Sequence, residues 1–140
     1  MLLAAVLRAT NHAFHEVVAR RQAINPAEPR TIHRTRVAFK RFRYMVESLS
    51  PAVTGLGGKP LRTLARYQRK MGNIQDLEVI LACLNEYLED HAHAQPLLEP
   101  FCRYLRRRRA RALLAFLKSA DDLFRFWPPQ RMAVPRVTGR

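Results

Sequence analysis

Apolar residues recur three and four positions apart through most of the chain, and no segment alternates strictly between apolar and polar. A period near 3.6 belongs to helices with one buried side, whereas strands repeat every two residues. The pattern predicts four helices. The first runs from about Leu2 to Ile24 on a stripe of Leu3, Val6, Leu7, Phe14, Val17 and Val18, and Pro26 and Pro29 end it. Thr31 is the predicted N-cap of the second, which reaches about Leu49 and stops before Ser50-Pro51. A loop rich in glycine (Gly55, Gly57, Gly58) and Pro60 follows. The third helix spans about Leu61 to Asp90, and the fourth about Leu97 to Phe126, ahead of Trp127-Pro128-Pro129. Long helices on short loops predict an all-α, antiparallel four-helix bundle, a single domain over residues 1–126. Residues 127–140 read as a basic, proline-containing C-terminal tail.

The polar sides of these helices carry most of the information. On the second, His33, Arg36, Lys40 and Arg43 share an arc of about 80° at roughly 100° per residue. Ile32, Phe39, Phe42, Met45, Val46 and Leu49 fall on another arc, so the helix can bury one side and present a basic ridge. On the third, Arg62, Arg66, Arg69 and Asn73 take one side with Lys70 on its flank. Leu61, Leu64, Ala65, Met71 and Val79 lie opposite. Beyond Gly72 the apolar residues Ile74, Leu77, Ile80, Leu81, Leu84 and Leu88 take over the side that was basic. The fourth helix holds Arg103, Arg106, Arg107 and Arg111 away from an apolar stripe that includes Phe101 and Cys102. Arg109 falls inside that stripe and therefore needs a partner, with Asp76, Glu47 or a bound phosphate as candidates.

Charge sharpens this picture. The 140 residues carry 25 Lys and Arg against 11 Asp and Glu, a formal charge of +14, and 21 of the cations are Arg. Arg grips a phosphate through a planar, bidentate fork, where Lys acts as a point charge. Three helices thus carry basic rows, and those rows hold few aromatics, chiefly Tyr44, Tyr67 and Tyr104. Single-stranded nucleic-acid binders interleave cations with stacking rings, so the balance favours a ligand made almost wholly of phosphate. The acids are scattered, with Asp121-Asp122 the one adjacent pair of aspartates, where a phosphohydrolase clusters carboxylates around metal. The expectation is a non-enzymatic binding protein with no cofactor or metal. Cys83 and Cys102 read as small buried hydrophobes. Met1-Leu2-Leu3 lacks a basic stretch ahead of it and meets Arg8 early, and no apolar run reaches transmembrane length, so a cytoplasmic protein without membrane contact is expected.

Two blocks in fixed order resemble a known family. His33-x-x-Arg36-Val37-x-x-Lys40-Arg41-x-Arg43-Tyr44-x-x-Glu47, followed by Gln68-x-x-x-Gly72-x-x-x-Asp76-x-x-Val79, is similar to the CHAD family, the conserved histidine α-helical domain. The resemblance is good over residues 31–88, and the flanking helices share only the general pattern. It implies a basic, antiparallel helical bundle that binds inorganic polyphosphate, in many members beside or fused to a triphosphate tunnel metalloenzyme. Carried over by position, His33, Arg36, Lys40 and Arg43 would be contacts from the first block, joined by Arg69 and by Arg62 and Arg66. Lys70 and the fourth-helix residues Arg103, Arg106, Arg107 and Arg109 extend the candidate site on the reading of the rows alone.

Two departures from the family pattern stand out. Its domains usually contain two such four-helix repeats, whereas this chain has room for one, worded more like the second. Either it is a single-repeat form or two copies pair to rebuild the full groove. The residue before Asp76 is Gln75, where many relatives carry Arg. The competing functional readings are RNA binding through the same arginines and a structural adaptor whose cations stay solvated.

Overall fold

The computed structural model describes residues 2–129. It contains α1 (Leu2–Gln22), α2 (Pro29–Leu49), α3 (Lys59–Asp90) and α4 (Gln95–Ser119), with short 3-10 turns at Ala92–Ala94 and Ala120–Arg125. Successive helices pack on one another, α1 on α2, α2 on α3 and α3 on α4, and the last 3-10 segment returns to α1. Among the described residues there is no strand, as the periodicity predicts. The expected tail falls, from Gln130 onward, outside the described residues.

Helix starts differ from expectation in one instructive place. The second helix begins at Pro29, whose fixed φ suits the first helical turn. Thr31 lies inside it, and its hydroxyl accepts from the Asn25 N–H at 3.0 Å and donates to the Glu28 carbonyl at 2.7 Å. Thr31 therefore ties down the α1–α2 loop rather than capping the helix. The fourth helix stops at Ser119, and the 3-10 segment completes the run to Arg125.

Phe39, Phe42, Met71, Phe116, Leu123 and Val17 are shut off from solvent at the centre of the core. Its rings pack edge-on and tilted, with Phe39 4.8 Å from Tyr67 and Phe42 5.9 Å from Trp127. Trp127 is 7% exposed, so the packed structure continues at least to that residue. Two threonines share this interior with their hydroxyls satisfied, because Thr10 and Thr35 each donate to the carbonyl four residues back at 2.8 Å. Tyr67, expected among the basic rows, is a core residue instead; its hydroxyl donates to the Ala120 carbonyl at 2.7 Å and staples α3 to the end of α4.

Burial raises the Tyr67 phenol well above its ordinary value; Arg21 opposes this, and Asp121 and Asp122 add to it. Ionisation is thus easier in the unfolded chain, and the stability linked to Tyr67 is intact below about pH 10 and lost above it. Tyr67→Phe should cost about 1–2 kcal/mol at neutral pH through the orphaned carbonyl. That deficit should narrow above about pH 10 in paired denaturant titrations; a constant gap would refute the linkage.

At about 1.5 Å per residue, the 32 residues of α3 reach well beyond the 21 of α1 and of α2. The distal part of α3 and the start of α4 form a hairpin with a small core of Leu77, Leu81 and Leu105. Several residues expected on buried stripes are exposed there: Val79, Ile80 and Phe101 at 50%, 42% and 47%. Cys83 is exposed as well, while Cys102 is buried as expected.

Candidate functional site

The buried stripe of α2, formed by Ile32, Thr35, Phe39, Phe42, Val46 and Leu49, fixes how that helix is rotated. The same rotation turns Arg36 and Arg43 toward α3. Arg43 donates through Nη1 to Gln68 Oε1 at 3.0 Å and through Nε to Glu47 Oε1 at 2.8 Å. Arg36 lies against Gly72, where an alanine methyl would meet its Nε at 3.7 Å, an ordinary contact. One turn further toward the start of α2, His33 lines a recess of about 270 Å³ with Pro29, Arg30, Gln75, Glu78 and Val79. The antiparallel register is therefore 43 beside 68, 36 beside 72 and 33 beside 75. The two sequence blocks are the two walls of one groove.

Within that groove the cations are only partly spoken for. Glu47 holds Arg43, and Lys40 stands 5.6 Å from the centre of the Tyr44 ring, a cation–π contact. Arg36 Nε is shielded from solvent and finds no hydrogen-bond acceptor among the described residues. A buried charged donor without an acceptor is costly. His33 is exposed.

The remaining candidates are placed differently. Arg62, Arg66 and Arg69 are exposed along α3 and form no ion pair among the described residues. Lys70 turns to α4, where Nζ donates to Ser119 Oγ at 2.7 Å. On α4, Arg106 and Arg103 approach Glu99 at 2.7 and 4.0 Å. Arg107, with Arg103, Arg111 and Tyr104, surrounds a shallow recess lined by α4 residues alone, so this row is not part of the α2–α3 groove. Arg109 finds its partner in Glu78, at 3.1 Å, rather than in Asp76 or Glu47. The structure thus brings together His33, Arg36, Lys40 and Arg43 on one wall and holds Arg103, Arg106 and Arg107 apart on α4, while Arg109 reaches Glu78 beside the His33 recess.

Gln68 is the groove residue that the basic rows alone do not reveal. Its signal is the helical spacing of Gln68, Gly72 and Gln75, small or uncharged side chains opposite a cationic ridge. Two acids flanking the groove are engaged with arginine, Glu47 with Arg43 and Glu78 with Arg109. Among the described residues no three His, Cys, Asp or Glu side chains gather as a metal site, and no helix is long and apolar enough to cross a membrane.

Comparison with curated proteins and with solved structures returns no match. The family model for the CHAD domain matches residues 8–127, taking in most of α1, the other three helices and both walls of the groove. This chain belongs to the CHAD domain family.

Proposed function

We propose that this chain binds inorganic polyphosphate, in the cytoplasm and without catalysing a reaction, along the groove between α2 and α3. The observation that carries this reading is the meeting of the two blocks. Arg43 is braced by Gln68 and Glu47, while Arg36 keeps a buried donor with no acceptor among the described residues. A phosphate oxygen supplies that acceptor, and Lys40 and His33 extend the row to neighbouring phosphates. Polyphosphate offers repeated charge and little else to read, which suits a ridge of cations in preference to a shaped pocket. Arg69 and its neighbours Arg62 and Arg66 add field from α3. The resemblance also suggests a triphosphate tunnel metalloenzyme as a partner that would use the same polymer.

RNA is the competing ligand, and the α4 recess favours it, since Tyr104 there sits among Arg103, Arg107 and Arg111. A titration at about 150 mM salt with long-chain polyphosphate and with RNA at equal phosphate separates the two. Preference for polyphosphate supports the groove. Equal binding of both polymers would reduce the charge to a generic polyanion surface.

A further inference from the structure

The solvent side of α2 is cationic well beyond the groove. At about 100° per residue, Arg30, Arg34 and Arg41 fall within about 40° of one another, on a strip beside the ridge of His33, Arg36, Lys40 and Arg43. This strip faces the other neighbour of α2. Across a recess of about 200 Å³, Arg34 and Arg41 meet Arg20 and Glu16 of α1. Arg20, Arg34 and Arg41 are exposed, and none of them forms an ion pair among the described residues. Helix α2 is thus the shared wall of two grooves, with α3 on one side and α1 on the other.

His33 joins the two. It lines the α2–α3 recess together with Arg30, and the α1–α2 recess together with Arg34. A row of cations therefore runs from one groove to the other over the first turns of α2 without interruption by an acid. Arg34 and Arg41 are seven residues apart, about 10 Å along the axis, a spacing that suits linked phosphates laid along the helix. Three arginines against the single acid Glu16 give the recess a field that favours an anion.

We propose that a long polyphosphate crosses α2 at His33 and enters the α1–α2 groove, where Arg20, Arg34 and Arg41 form a second phosphate subsite. The proposal rests on the reading of the α2–α3 groove as the primary site, and it adds a chain-length preference to that reading. A polymer held in the first groove meets the second intramolecularly, at an effective concentration on the order of millimolar, so its affinity exceeds that of either groove alone. A chain too short to cross α2 gains nothing from the second groove.

The test titrates the 140-residue chain with tripolyphosphate and with long-chain polyphosphate at several salt concentrations around 150 mM. Arg20→Ala/Arg34→Ala/Arg41→Ala, at exposed positions, should keep wild-type helical content and lose at least about tenfold in long-chain affinity. Its salt slope should flatten by about 2, while tripolyphosphate affinity stays within about twofold of wild type. Glu16→Gln, which removes the one acid of the recess, should tighten long-chain binding by about twofold to fivefold. Lys59→Ala/Arg125→Ala takes charge from a separate recess beside Pro60 and should leave the long-chain affinity within about twofold, because salt screens cations that do not touch the polymer. Long-chain affinity that survives the triple substitution overturns the second subsite and leaves the first groove standing. So does an equal loss for tripolyphosphate or in the Lys59→Ala/Arg125→Ala variant. A wild-type chain that binds neither polymer removes the polyphosphate reading and the second subsite together.

Discussion

The His33→Ala/Arg36→Ala/Lys40→Ala variant is expected to lose about a hundredfold in polyphosphate affinity at about 150 mM salt, with its helical content unchanged. A charge-assisted hydrogen bond is worth about 1.5–3 kcal/mol when well shielded, but solvent screens these side chains, and about 1 kcal/mol each is the fitting scale. Three such losses give about 3 kcal/mol, a factor near one hundred. The salt dependence discriminates further. Each phosphate neutralised on a flexible strand contributes about 0.7 to the slope of log affinity against log salt, so removing the two permanent cations Arg36 and Lys40 should flatten it by about 1.4. Stability should hold or rise slightly, because Arg36→Ala removes a shielded donor that has no acceptor among the described residues. Isothermal titration at several salt concentrations, beside thermal melts, checks all three expectations. An unchanged slope would place the binding elsewhere, with the separate arginine row of α4 as the next surface to dissect.

Periodicity reports faithfully on angles around each helix and poorly on what stands opposite. The ridge of α2 is legible because Phe39 and Phe42 so clearly define the buried side that the arc of Arg36, Lys40 and Arg43 follows. Which α3 residues face that ridge depends on the antiparallel register, a relation between two helices that neither contains. Gln68 is therefore visible as a motif residue without its part in holding Arg43. The partner of Arg109 shows the same limit. Asp76 and Glu78 are two residues apart, roughly 200° around the helix, and only Glu78 lies within reach of α4. Exposure at Ile80, Cys83 and Phe101 is illegible for another reason. An apolar residue at helical spacing is buried only if something covers it, and the distal hairpin has two helices where the bundle has four. The groove and the hairpin thus differ in kind: one is a surface the fold assembles from two motifs, the other a surface it leaves open.

The groove depends in turn on the core beneath it, and Phe39→Ala should be the most damaging single substitution for stability. Phe39 has no solvent exposure and packs on Phe42, Tyr67 and Phe126 at ring distances of 5.9, 4.8 and 6.3 Å. It sits between Arg36 and Lys40 in sequence and fixes the rotation that aims both. Removing a fully buried ring typically costs about 3–5 kcal/mol, lost transfer energy plus the cavity left behind. For a chain of this length that corresponds to a fall of about 10–20 °C in melting temperature. Ile80→Ala, at an exposed position, should stay within about 0.5 kcal/mol of wild type and serves as the control. If polyphosphate binds only the folded state, a concentration of about 100 times its dissociation constant should return about 2.7 kcal/mol to the Phe39→Ala variant. Differential scanning calorimetry with and without polymer measures both effects. A loss below about 1 kcal/mol would mean that the bundle repacks around the cavity and that another contact orients α2.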